Sequence, residues 1–160
     1  MKKIFFATPI GNVDSPEHKR SDKMVEAIDA VIQDLKPQYN LELIRVDKLL
    51  RPHSITETIR NEIAKSEFVI ADLTGHNPNV YYELGYATGI QKDCIHIAEK
   101  SNSNLPFDVA QITTIFYEID DMKTFKSSLK EMMTYVLENP NELIPVFAGP
   151  PIGKVKIDDD

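Results

Sequence analysis

The segment FVIADL, residues 68–73, is a continuous apolar run that only Asp72 interrupts. A strand that is apolar on both faces is typical of the centre of a sheet with helices packed on either side. Strand-like and helix-like patterns alternate along the rest of the chain. Strands that are separated by helices join through right-handed crossovers into a parallel sheet. We therefore expect an α/β fold.

Short apolar or alternating runs predict four more strands, at Lys3–Ala7, Leu41–Val46, Cys94–Ala98 and Thr113–Ile119. Cap and proline signals predict three helices, which begin near Ser15-Pro16, Ser54-Ile55 and Asn77-Pro78. Apolar residues at helical spacing predict a fourth over Asp121–Leu137. Residues 1–148 form one predicted domain, and residues 149–160, rich in Pro, Gly and Asp, form a predicted C-terminal tail. Five strands in this length indicate a flavodoxin-like three-layer sandwich with a mostly parallel sheet of order 2-1-3-4-5.

That strand order predicts where a ligand binds. In open α/β sheets, ligands lie outside the carboxyl ends of the strands, where the strand order reverses. For the order 2-1-3-4-5, this crevice falls between the first and third strands. The loops that leave these strands are Thr8–Asp14 and Thr74–Asn79, and both are polar and contain glycine.

Composition excludes several classes of function. The net charge of −7 disfavours a polynucleotide partner, which needs a basic surface. The sequence contains no run of about 18 apolar residues, so we expect no membrane span. Cys94, the single cysteine, lies in the apolar run CIHIA, which predicts a buried thiol and fits a reducing cytoplasm. No Cys/His cluster has the spacing of metal ligands, and we expect neither a metal nor a cofactor.

Asp72 and Glu83 are the candidate catalytic residues. Asp72 ends the apolar strand, where it either caps its own loop or binds a ligand at the crevice, and position alone does not separate the two. Glu83 lies off the apolar stripe of the next helix, so a solvated glutamate near a helix start is the simplest interpretation. Gly85 and Gly89 favour a closer approach by a ligand or another backbone, because glycine otherwise costs helix stability. We expect Asn79 and Tyr82, on the same helix, to contact a substrate.

The first loop is a candidate phosphate site. It contains Thr8, Pro9, Ile10, Gly11 and Asn12, and it leads into a helix whose amide groups suit an anion. Lys19 and Arg20 follow in the first turns of that helix as possible charged partners, and the alternative is that they form a solvated face. The pattern is neither GxGxxG nor a Walker motif.

The stretch ADLTGHNPNVYYELGYATGIQK resembles the central motif of the nucleoside 2-deoxyribosyltransferase-like family, which includes 2′-deoxynucleoside 5′-monophosphate N-glycosidases. IFFATPIG and LPFDVAQITTIFYEI extend the resemblance over most of the domain, although the loop TPIGNVDSPEHKR is longer than the compact phosphate loop of the family. The resemblance implies that Glu83 attacks the anomeric carbon of a sugar, that Asp72 contacts the sugar or helps to protonate the base, and that the first loop receives the 5′ end.

The expected activity is therefore cleavage or transfer at the N-glycosidic bond of a nucleotide or (deoxy)nucleoside. TIR-like domains that hydrolyse NAD share the flavodoxin-like frame and a helix glutamate, so the resemblance leaves that alternative open. A nucleotide sensor without turnover is the second alternative. The resemblance also implies a homo-oligomer, because related deoxyribosyltransferases complete each site with residues of a neighbour.

Overall fold

The computed structural model describes residues 1–48, 55–101, 104–105 and 114–142. Within these ranges the strands are β1 (Lys2–Ala7), β2 (Leu41–Arg45), β3 (Phe68–Asp72), β4 (Cys94–Glu99) and β5 (Thr114–Tyr117). The helices are α1 (Pro16–Leu35), α2 (Ile55–Lys65), α3 (Pro78–Gly89) and α4 (Met122–Glu138). Short 3₁₀ turns, Val46–Lys48 and Thr74–His76, follow β2 and β3.

The five strands form one sheet of order β2-β1-β3-β4-β5, and each neighbouring pair is parallel. The predicted α/β fold and the order 2-1-3-4-5 are confirmed, with element ends that differ from the predicted ones by one or two residues. The predicted tail, residues 149–160, lies outside the described residues.

Alternation along the central strand explains the three layers. Phe68 and Ile70 of β3 belong to an apolar cluster with α1 and α4, whereas Val69 and Ala71 belong to a second cluster with α2 and α3. All four side chains are fully buried. The continuous apolar run therefore serves two cores at once, as a strand between two helical layers requires.

The crevice predicted from the strand order is present at the carboxyl edge of the sheet. β1 and β3 are direct neighbours, with Ala7 paired to Ala71 near their ends. The helices that follow them pack on opposite faces, α1 in one apolar cluster and α3 in the other. The chain thus diverges after these two strands and leaves a cleft between them. No helix in the described ranges is long and apolar enough to cross a membrane.

Candidate active site

Glu83 lies in the second turn of α3, with its side chain buried. The helix begins at Pro78 after Asn77, whose Oδ1 accepts hydrogen bonds from the amides of Asn79 (2.9 Å) and Val80 (3.3 Å). Only 7% of Glu83 is exposed, so the interpretation as a solvated glutamate is wrong. The periodicity of the helix alone could not show this, because it does not reveal that residues of α2 and of the loop after β1 share a cavity with Glu83.

Burial raises the pKa of Glu83 from 4.5 to about 7. No residue of the described ranges donates a hydrogen bond to this carboxyl group or forms an ion pair with it, so no group in that part of the chain compensates the ionised form for lost water. A carboxyl group with a pKa near neutrality exchanges protons readily and, once ionised, is a poorly solvated and reactive base or nucleophile.

The carboxyl group of Glu83 faces a cavity of about 400 Å³. This volume lies within the range of about 300–1,000 Å³ that small-molecule sites occupy. The cavity opens at the crevice between β1 and β3, and its walls come from the first loop, the end of β2, and the starts of α2 and α3. Its lining residues are Thr8, Ile10, Gly11, Val46, Thr56, Ile59, Asn77, Asn79, Tyr82 and Glu83.

The first loop forms a tight wall because it folds back on the start of α1. Gly11 has φ +61°, and a Cβ there would lie 2.6 Å from Ser15 Oγ, so only glycine fits without a shift. Ser15 caps α1, its Oγ accepting a hydrogen bond from the His18 amide at 3.1 Å. The His18 ring in turn hydrogen-bonds to the carbonyl oxygen of Ile10 at 3.2 Å. The predicted residues Thr8, Ile10, Gly11, Asn79 and Tyr82 therefore line one cavity with Glu83.

Asp72 does not line this cavity. Its side chain is fully buried, with Oδ1 accepting hydrogen bonds from the amide (3.1 Å) and hydroxyl (2.6 Å) of Thr74 and Oδ2 accepting one from Tyr117 (2.8 Å). The Thr74 hydroxyl also accepts a hydrogen bond from the Glu99 amide at 2.9 Å. Burial raises the pKa of Asp72, and the bonds from Thr74 and Tyr117 oppose that rise. Of its two interpretations, the geometry favours the cap of its own loop, because both carboxylate oxygens accept hydrogen bonds from the protein and two of the three donors are groups of Thr74.

Lys19 and Arg20 line a second, smaller cavity of about 240 Å³ together with Pro16, Lys23, Glu99 and Ile119. They do not line the cavity that contains Glu83, because α1 directs them towards the ends of β4 and β5. Pro9 and Asn12 belong to the first loop but do not line the larger cavity either. The carbonyl oxygen of Asn12 instead accepts a hydrogen bond from the Ser15 amide at 3.0 Å.

Sequence reasoning missed four wall residues: Val46, Thr56, Ile59 and Asn77. Val46 directly follows β2, the neighbour of β1, and Thr56 opens α2 at the same edge of the sheet. The predicted strand order already placed these positions beside the crevice, so topology was the available signal. Asn77 was recognised only as a helix cap.

The glycines of α3 leave open space rather than a close contact. A Cβ on Gly85 or Gly89 would meet no atom within 4 Å, so the expected close approach does not occur within the described chain. Nearby, Tyr82 is 55% exposed and Ile90 is 40% exposed. Within the described ranges, no group of three His, Cys, Asp or Glu side chains is placed to hold a metal ion.

Comparison with known proteins gives matches at the level of structure. No family model matches the sequence, and no curated protein matches it. The CMP N-glycosidase BcmB of Clostridium botulinum superposes with a TM-score of 0.55 at 17% identity, over 82% of this chain and 99% of that one. A 2-deoxyribosyltransferase of Bacillus psychrosaccharolyticus gives 0.57 at 13% identity, over 78% and 90%.

A third structure, BlsM in solution, gives a TM-score of 0.58 at 16% identity, over 87% of this chain and 95% of that one. At these identities the likeness concerns the fold. The resemblance indicated by the ELGYA motif is therefore confirmed at that level: this chain has the α/β fold of a CMP N-glycosidase and a 2-deoxyribosyltransferase.

Proposed function

We propose that this protein is an enzyme that cleaves or transfers the N-glycosidic bond of a nucleotide or (deoxy)nucleoside, with Glu83 as the nucleophile. One observation carries the proposal: a buried carboxyl group without a hydrogen-bonding partner in the described chain, with a pKa of about 7, faces a ligand-sized cavity at the switch point of the sheet. A structural carboxyl group would be expected to have donors, as Asp72 does.

The shared fold supports this class of reaction. A CMP N-glycosidase and a 2-deoxyribosyltransferase, whose names both specify chemistry at a sugar–base bond, have the same architecture. Because a fold alone hosts many activities, the proposal depends on the site in this chain, where the glutamate of the ELGYA motif occupies the cavity.

The chemistry follows from the ionised form of Glu83. Its carboxylate attacks the anomeric carbon, the bond from that carbon to the base nitrogen breaks, and the electron pair leaves with the base, which takes up a proton from solvent. Water then attacks the anomeric carbon of the glycosyl ester and loses a proton to solvent, which gives free sugar and restores the carboxylate. If a second base attacks instead, the sugar is transferred. The buried carboxylate stabilises the positive charge that develops on the sugar, as in glycoside hydrolysis.

The wall residues suggest how the substrate is oriented. Asn79 and Tyr82 provide polar groups on the same helix as Glu83, and Thr8 provides a hydroxyl from the first loop. If the substrate carries a 5′-phosphate, we propose that the backbone amides of Ile10 and Gly11 bind it. Lys19 and Arg20 act at most from a distance, because they line the neighbouring cavity.

The decisive experiment follows free base by chromatography after incubation with nucleosides, nucleoside monophosphates and NAD. We expect base release from at least one nucleotide or nucleoside, its loss in Glu83→Gln, and its retention in Glu131→Gln, an exposed glutamate of α4. Mass spectrometry of a rapidly quenched reaction should show a glycosyl adduct in the peptide that contains Glu83.

The other outcomes are equally clear. Release from NAD alone would identify a TIR-like NAD hydrolase. Thermal stabilisation by a nucleotide without any product would identify a sensor. If no base is released from any substrate at high protein concentration, the proposed enzyme is refuted.

We also propose a homo-oligomer that uses the exposed face of α3. Tyr82 is exposed on this helix and Ile90 directly after it, and Gly85 and Gly89 leave room for a second helix to approach. A strictly monomeric mass by light scattering at micromolar concentration would refute this. The compartment we propose is the reducing cytoplasm, because the only cysteine is buried and free.

A further inference from the structure

Arg45, at the carboxyl end of β2, is a buried charge with an unusually complete set of partners. It is 6% exposed. Its Nε and Nη2 donate to the two carboxylate oxygens of Asp47, each at 2.7 Å. Its Nη1 donates to Asp22 Oδ1 at 2.7 Å and to Ser21 Oγ at 3.0 Å. The planar fork of the guanidinium is thus fixed from two sides.

Two chains of polar contacts lead from Arg45 to the cavity wall. In the first, Ser21 Oγ also accepts a hydrogen bond from Thr8 Oγ1 at 3.0 Å. In the second, Asp22 lies 3.5 Å from Nε2 of His18, whose other ring nitrogen is bonded to the carbonyl oxygen of Ile10. Both chains end on residues that line the cavity with Glu83.

Asp47, the third partner of Arg45, lies beside the part of the cavity wall that follows β2. Asp47 directly follows Val46, which also lines the cavity. The two hydrogen bonds from Arg45 to Asp47 therefore span Val46, at the start of the 3₁₀ turn Val46–Lys48. The Arg45 side chain is thus linked, directly or through one or two residues, to both the first loop after β1 and the turn after β2.

Within the described residues the loop also contacts the start of α1, where the Ser15 amide donates to the Asn12 carbonyl oxygen at 3.0 Å, but its tip is exposed and strained. Residues 11–14 are exposed, and both Gly11 (φ +61°) and Asp14 (φ +68°) have left-handed backbone conformations, the second costly for a residue with a side chain. A buried ion pair adds little net stability compared with apolar packing of the same volume, but it fixes a geometry. We propose that Arg45 is a positioning residue that holds the first loop and Val46 in the conformation that completes the cavity around Glu83.

The kinetic test, which rests on the proposed function, uses cytidine 5′-monophosphate as the probe. Arg45→Met and Arg45→Lys should each raise KM by at least about 10-fold while kcat changes by less than about 3-fold, because binding is lost and Glu83 is untouched. Lysine should not rescue KM, since its single ammonium group cannot replace the fork. The matched control, Glu62→Gln, breaks the 3.1 Å ion pair to Lys3 at the opposite end of β1 and should leave KM unchanged.

A second measurement does not depend on the reaction. Backbone order parameters from NMR should fall for residues 10–14 in Arg45→Lys, from about 0.85 towards 0.6 or below, and stay constant in β3. Unchanged order parameters in a folded Arg45→Lys protein would overturn the proposal, whatever the kinetics. If the wild type neither binds nor cleaves the probe, that result counts against the proposed use of this nucleotide, and the order parameters alone decide the role of Arg45.

Discussion

Replacing Glu83 by glutamine should increase the free energy of unfolding at high pH, although the same substitution should abolish activity. The folded protein holds the proton of Glu83 up to about pH 7, whereas the unfolded chain releases it near 4.5. Between these values the folded state binds more protons than the unfolded state, so the free energy of unfolding of the wild type falls as pH rises. The contribution of Glu83 is fully present below about pH 4.5 and is lost by about pH 8.

The magnitude follows from the gap between 4.5 and about 7. At 1.36 kcal/mol for each pH unit, it amounts to about 3 kcal/mol, most of which develops between pH 5 and pH 8. Glutamine has nearly the shape of protonated glutamate and cannot ionise. The stability of Glu83→Gln relative to wild type should therefore rise by about 2–3 kcal/mol from pH 5 to pH 8, because the other titrations are common to both proteins and cancel.

Urea unfolding of both proteins at pH 5, 6, 7 and 8 measures this difference, provided that the m-values agree. Glu131→Gln is the matched control and should follow the wild type at every pH. In the enzyme assay, kcat/KM of the wild type should rise through about pH 7 as Glu83 of the free enzyme ionises. A stability difference that stays constant with pH, or is larger at pH 5, would refute the assignment of a buried, uncompensated carboxyl group.

Three further predictions concern the frame of the site. Gly11→Ala should lower the free energy of unfolding by about 1–2 kcal/mol, because its φ is +61° and the new Cβ would meet a serine oxygen at 2.6 Å. Gly85→Ala has open space and a helical backbone, so it should raise the free energy of unfolding by up to about 1 kcal/mol. Equal effects of the two substitutions in urea unfolding would contradict this reasoning. Tyr117→Phe removes a buried hydroxyl that hydrogen-bonds to the Asp72 carboxylate at 2.8 Å, so it should lower the free energy of unfolding by about 1–2 kcal/mol. The control Tyr135→Phe removes an exposed hydroxyl and should lower it by less than about 0.5 kcal/mol. Cys94 is 3% exposed and burial raises its pKa to about 12, so a thiol reagent should label it only after unfolding; rapid labelling of the native protein would show that this region opens.

The fold could be predicted because its signals are local and repeated. The run from Phe68 to Asp72 serves two cores, and the cap signals at Ser15 and Asn77 mark where helices begin. The strand order came from the number and alternation of the elements, and it was enough to place the crevice.

The site could be predicted only in part, because its geometry depends on contacts between distant segments. Glu83 shares its cavity with Thr56 and Ile59 of α2 and with the first loop, a proximity that no periodicity within α3 reveals. Asp72 is a similar case: its residue type fits a ligand contact and a loop cap equally well, and the partner that separates them, Tyr117, lies 45 positions away. Arg45 gave no signal at all, since an arginine at the end of a strand is usually exposed.

The cap of α3 limits which sequences this site can tolerate. Asparagine and aspartate cap helices about equally well, so the helix alone would accept either at position 77. Asn77, however, also lines the cavity that Glu83 faces. An aspartate there would bring a second carboxylate into the same cavity and raise the pKa of Glu83 further, leaving less of the ionised nucleophile at neutral pH. Two residues that are interchangeable for folding are therefore not interchangeable for chemistry, and variation at this position would report on selection for activity rather than for stability.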